Sequence, residues 1–167
     1  DFGEFLARRF PALRFRSGNA EGADQAFSDG VARVDAGRLQ IVAPYASHRK
    51  KSRNPAVAFS SPDDLSPEQV AEVIKKTAAA SPKVERLLSR WKDGGALAAK
   101  ATYLLRDSMK VLGHSEEFPK PVCGIFFIDP SDPMAGGTGH TIRVCQLESV
   151  PVVFQNDWLG WMQSRGG

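Results

Sequence analysis

Sulfur is scarce in this chain: two cysteines, Cys123 and Cys145, in 167 residues, each inside an apolar stretch and with no CxxC spacing. A disulfide framework and a thiolate zinc site are both excluded by that pattern. Both cysteines are expected to be small core hydrophobes, which suits a reducing, cytoplasmic compartment. The three histidines form no HExxH or comparable spacing, so no metal site is expected. No apolar run approaches the roughly 20 residues that cross a bilayer, and no signal peptide is visible; no membrane partner is expected. Charge of one sign is not in large excess either. Twenty-two Lys and Arg against 19 Asp and Glu leave +3, which permits a phosphate-bearing partner without demanding nucleic acid. Internal repeats and low-complexity segments are absent.

What is present is an ordinary globular composition, 42% hydrophobic and 25% charged, at the size of one domain. Residues 1–167 are read as a single unit. Helical spacing of Phe2, Phe5 and Leu6 predicts a helix over residues 2–9. Residues 13–16 and 39–43 (LQIVA) read as strands, separated by a helix carrying Ala23, Ala26, Phe27, Val31 and Val34 on one face. Residues 45–65 contain the basic run His48-Arg49-Lys50-Lys51-Ser52-Arg53 and are expected to form a long, solvated surface loop. Ser66-Pro67-Glu68 and Ser81-Pro82-Lys83 carry helix-start signals, and residues 96–112 form a third helix in this stretch. VCGIFFI (122–128) is apolar throughout, as a central strand covered on both faces would be. A helix from Gly136 to about Glu148, a strand over 150–154 and a short terminal helix bearing Trp158 and Trp161 complete the chain. Strands alternating with helices imply a parallel sheet. With four strands visible and a helix first, a further strand is expected ahead of residue 1.

Ligands of open parallel sheets bind beyond the carboxyl ends of the strands. Two glycine-rich turns stand at such ends. The first is Ser17-Gly18-Asn19-Ala20-Glu21-Gly22-Ala23-Asp24. Gly18 lets the backbone approach a ligand, the following helix N-terminus offers unpaired N–H groups and a positive dipole end, and Ser17 and Asn19 add side-chain donors. The bland alternative is a tight turn with a helix-stabilising Asp24. The second is Gly136-Gly137-Thr138-Gly139-His140-Thr141. Three glycines in four residues are entropically costly unless close approach is needed. The composition suits a phosphate cradle, yet it is neither a Walker A loop nor a GxGxxG fingerprint. The candidate ligand-binding set is therefore Ser17, Gly18, Asn19, Glu21, Gly22, Asp24, Gly136, Gly137, Thr138, Gly139 and His140.

Strand-SGNAEGAD-helix and strand-GGTGHTIR-helix resemble the SLOG superfamily, which unites the DNA-processing protein A family with the "lonely guy", lysine-decarboxylase-like phosphoribohydrolases. The first turn is similar to the Ser-Gly-x-Ala-x-Gly-Ile-Asp of the DNA-processing family. Arg106-Asp107-Ser108-Met109-Lys110 falls where the superfamily has an arginine-rich helix facing the ligand, which adds Arg106 to the set. The resemblance covers roughly residues 10–45 and 100–156. It implies an α/β fold, a Rossmann-like three-layer sandwich with a mostly parallel central sheet and helices on both faces, and it implies a nucleotide or other phosphorylated, nucleotide-derived ligand. It also implies that a homodimer is compatible with the fold.

In the phosphoribohydrolases the second turn reads Pro-Gly-Gly-x-Gly-Thr-x-x-Glu. Here Gly136, Gly137 and Gly139 match, His140 stands at the threonine and Arg143 at the glutamate. The carboxylate that would stabilise an oxocarbenium-like centre is lost with that glutamate. Glu21, Asp24, Asp129 and Asp132 are the acidic residues near enough in sequence to replace it, though Asp129 and Asp132 also read as turn formers. Binding without strong catalysis is the leading expectation. N-glycosidic cleavage of a nucleoside monophosphate is the alternative. Single-stranded DNA binding comes third, because the charge of +3 is low for it.

Overall fold

The computed structural model describes residues 1–163. Its first helix, α1 (Phe2–Arg9), starts where Asp1 accepts a hydrogen bond from the Gly3 amide through its side chain. Phe10 to Arg14 then lead into β1 (Phe15–Ser17), the first turn and α2 (Ala23–Asp35). The two helices lie so close that a Cβ on Gly3 would overlap the Phe27 carbonyl. Arg33 of α2 also pairs with Asp1 and Glu4.

A short 3-10 turn leads from α2 into β2 (Leu39–Val42), which pairs in parallel with β1, Phe15 opposite Leu39. The third strand, β3 (Ala58–Ser60), pairs in parallel with the other edge of β2, Ile41 opposite Phe59. It corrects the expectation for residues 45–65, whose last part enters the sheet. The strand order is β1-β2-β3. Side chains alternate across β2, as a pleated strand requires. Leu39 and Ile41 join a cluster with Leu6, Phe15 and Val31, while Val42 joins Val73, Leu88, Leu105, Met109 and Phe118. This sheet thus carries an apolar cluster on each face.

α3 (Pro67–Ala80) begins at a capping box in which Ser66 and Gln69 satisfy each other's backbone amides. The helix that Ser81-Pro82-Lys83 signals is short, a 3-10 turn followed by α4 (Glu85–Leu88). α5 (Gly95–Leu112) runs almost as expected.

The apolar run 122–128 yields only a two-residue strand, β4 (Gly124–Ile125), paired in parallel with β5 (Val152–Val153) as a separate sheet. The run is not covered on both faces: Val122 is 77% and Phe127 64% exposed. Past Phe126 the ladder is replaced by a side chain. The Gln155 amide takes both the N–H and the carbonyl of Ile128, at 3.0 and 2.7 Å. Ile125 packs on the Phe15 cluster, which seats the second pair beside the first sheet.

α6 (Gly136–Leu147) and α7 (Gln155–Gln163) complete the described chain. Cys145 is buried with Val111, Val144 and Val150, as a small core hydrophobe should be, and Cys123 is half-buried. Trp158 of α7 stacks on Phe2 at 4.3 Å between ring centres and donates its indole N–H to the Phe126 carbonyl. Among the described residues no helix is long and apolar enough to cross a membrane.

Candidate functional site

The first turn leaves β1 at a buried Ser17. The Ser17 hydroxyl accepts from the Asn19 amide at 3.1 Å and donates to the Asp24 carbonyl at 3.4 Å. It thereby closes the turn from inside rather than facing a ligand. Asn19 takes a left-handed φ of 52° and Gly22 one of 90°, conformations that asparagine and glycine tolerate best. No side chain caps α2, so its first amides stay open to an anion.

The second turn is built in the same manner. No side chain caps α6, and Gly136 has a φ of 57°. Gly136, Gly137 and Thr138 are exposed, and the Thr141 hydroxyl returns to the Gly137 carbonyl at 2.9 Å. Gly139 is buried against the Met134 backbone, so its smallness serves packing.

α5 places one ion pair between the two turns. Arg106 donates through Nε and Nη2 to one oxygen of Asp107, at 3.2 and 2.8 Å, and through Nη1 to the Gly18 carbonyl at 3.4 Å. Lys110 Nζ meets the same Asp107 oxygen at 2.9 Å. A Cβ on Gly18 would lie 3.2 Å from the Arg106 guanidinium carbon, and one on Gly137 2.7 Å from the other Asp107 oxygen. Glycine at both turns is therefore what admits the pair. Arg106 is 7% and Asp107 3% exposed. Burial pushes the Asp107 carboxyl upward, but the Lys110 and Arg106 charges outweigh it and hold the group below the usual carboxylate range. Of the five N–H groups of a guanidinium, three of Arg106's are engaged in these bonds.

The basic segment expected as a solvated loop is tied down across the first turn. Arg49 donates to the Asn19 carbonyl at 3.4 Å and to Glu21 at 3.2 Å. Arg53 donates to the Ala46 and His48 carbonyls and stacks 4.5 Å above the Phe59 ring. His48 is half-buried, and its ionisation is lowered first by burial and then by the charges of Arg49, Arg106 and Arg53. Asp107, Tyr45, His48 and Arg49 thus belong to the neighbourhood of the turns, although sequence reasoning left them outside the candidate set. Only the helix position beside Arg106 could have signalled Asp107.

Of the predicted residues, Gly18, Asn19, Glu21, Asp24, Arg106 and Gly137 are brought together. Asp24 is half-buried, its carboxylate 3.1 Å from where a Gly18 Cβ would sit. Asp129 accepts from the Ser131 amide and hydroxyl at 2.9 and 2.7 Å, the turn-forming role weighed for it. Arg143 donates to the Ala80 carbonyl, the Met134 carbonyl and the Ser81 hydroxyl. Its charge therefore serves the carbonyl end of α3, not the open face of the turn.

His140 is set apart from the exposed glycines. It is 1% exposed, with Nδ1 2.9 Å from the Ser81 hydroxyl and Nε2 2.9 Å from the Ser108 hydroxyl. Ser108 in turn accepts from Thr77 at 2.7 Å. The ring belongs to a buried polar chain joining α3, α5 and α6. Burial lowers its pKa from 6.5 to about 4. The folded state thus binds fewer protons than the unfolded state between those values, and stability falls as pH drops through that window. The loss is expected to reach about 3 kcal/mol at full extent. Urea midpoints at pH 7.5 and 4.5 should differ clearly in the parent protein and differ less in His140→Gln. Equal pH dependence in the two would show that His140 is not the group responsible.

Among the described residues no group of three His, Cys, Asp or Glu side chains is placed to hold a metal ion. Comparison with family models, curated proteins and solved structures finds no match to this chain.

Proposed function

We propose that the chain is a Rossmann-like three-layer α/β domain that binds a nucleotide, or another phosphorylated nucleotide-derived ligand, where its two glycine turns meet at Arg106. The observation that carries this reading is the approach of Gly18 and Gly137 to opposite partners of one buried Arg106–Asp107 pair. Two uncapped helix N-termini then flank one guanidinium that keeps N–H groups beyond those its protein partners use. Such an arrangement suits a phosphate. Parallel strands in the order β1-β2-β3, with apolar clusters on both faces, support the fold assignment.

A thermal-shift panel of nucleoside mono-, di- and triphosphates tests the reading. A ligand bound to the folded state alone at 100 times its Kd adds about 2.7 kcal/mol. The shift is expected to vanish in Arg106→Ala, a variant that leaves Asp107 paired with Lys110. A flat panel, or a shift that survives Arg106→Ala, would overturn it. Asp24 keeps N-glycosidic cleavage in view as a second reading, because its carboxylate and the Arg106 guanidinium both border the space that a Gly18 Cβ would fill. Release of free base from a bound nucleoside monophosphate, abolished in Asp24→Asn, would establish turnover.

A further inference from the structure

Two exposed tyrosines border the site, and neither glycine turn accounts for them. Tyr103 lies on α5 one turn before Arg106, and the Arg106 guanidinium carbon stands 5.0 Å from the centre of its ring. Tyr45 follows the carboxyl end of β2 and meets His48 edge-on at 5.2 Å. His48 feels the charge of Arg106, and the next residue, Arg49, reaches the first turn at Asn19 and Glu21. Tyr103, Arg106, the first turn, Arg49, His48 and Tyr45 therefore form one continuous border. Tyr103 is 40% and Tyr45 43% exposed. Water meets much of two large rings that could have been buried, at the sheet end where a ligand would enter.

We infer that Tyr103 and Tyr45 are specificity-determining residues that receive a planar ring of the ligand, while Arg106 and the turns receive its phosphate. The inference rests on the proposed phosphate site. Its chemistry is sequence-tolerant stacking: an aromatic ring offers a face to any base, and a guanidinium laid over one ring polarises the stack. A sugar phosphate without a base would use half of such a site.

Titration calorimetry with the four ribonucleoside 5′-monophosphates and with ribose 5-phosphate separates the two halves. At least one mononucleotide is expected to bind about tenfold or more tightly than ribose 5-phosphate. Tyr103→Ala and Tyr45→Ala should each remove much of that advantage and leave ribose 5-phosphate affinity unchanged, and Tyr103→Phe should restore it. If Tyr103→Ala weakens both probes equally, the ring only positions Arg106, and the inference is overturned. If ribose 5-phosphate binds as well as every mononucleotide, the tyrosines recognise nothing, and the inference falls while the phosphate site stands. If neither probe class binds, the proposed function fails together with it.

Discussion

Asp107→Ala is expected to lower folding stability by about 3–5 kcal/mol, the range for removing one partner of a buried ion pair. The effect comes from what is left behind. Arg106 is 9% exposed at its side chain, and two of its three hydrogen bonds go to Asp107. Without the carboxylate the guanidinium keeps the Gly18 carbonyl and the face of the Tyr103 ring, at a residue that is 7% exposed. Asp107→Asn retains an acceptor oxygen and should lose less. Because the Asp107 carboxyl is held below its unfolded value, its contribution is complete above the unfolded pKa of about 3.9. It disappears as pH falls through the lower folded value. Urea unfolding at pH 7 measures the difference, and a loss below about 1 kcal/mol would mean that Arg106 swings out to solvent instead.

The second large effect has a sign opposite to what helix propensity predicts. Alanine is favoured over glycine inside a helix by about 1 kcal/mol, so Gly139→Ala should stabilise α6. The structure reverses this. A Cβ at position 139 would overlap the Met134 carbonyl, a backbone atom that cannot rotate away. The loop and the helix must separate, and overpacking of this kind costs about 3 kcal/mol at the upper end of its usual range. The expected net result is a clear fall in the unfolding midpoint. Gly160→Ala in α7 is the internal control, because a Cβ there meets nothing within 4 Å, and a small gain is expected. A neutral or stabilising Gly139→Ala would show that the contact relaxes at no expense.

Local signals in the chain were sufficient for most helices. Ser66, Pro67 and Glu68 announce α3, whose cap hydrogen bonds span only three residues, and the two glycine turns are legible as strand-to-helix junctions. What escaped sequence reasoning depends on partners distant in the chain. β3 is three residues at the end of the short apolar run Ala56-Val57-Ala58-Phe59, too short to stand out in a stretch rich in Lys, Arg and Ser, and pairing with β2 makes it a strand. The 122–128 run shows the converse. Its hydrophobicity implies burial on two faces, yet the Gln155 side chain takes over the ladder at Ile128. Residues Leu105 to Met109 are buried at five consecutive positions. Helical periodicity cannot anticipate that, because it assigns at least one of them to solvent. Hence the burial of the Arg106–Asp107 pair was not legible, although the resemblance had placed Arg106 among the ligand-binding candidates. His140 and Arg143 were legible as helix residues, but the α3 groups they bond are about 60 positions away.

Arg143 and His140 together hold the loop before the second turn and the end of α3 to α6, through Met134, Ala80 and Ser81. The segment over the first turn has a looser attachment, since its Arg49–Glu21 pair is exposed to water. If both halves of the site take part in binding, the α6 half, held through buried His140, has less to lose than the Tyr45–Arg53 half, whose link to the first turn is open to water. Ordering that half sets the entropic penalty for any occupant, and stiffening it is the route by which affinity could rise without a new contact.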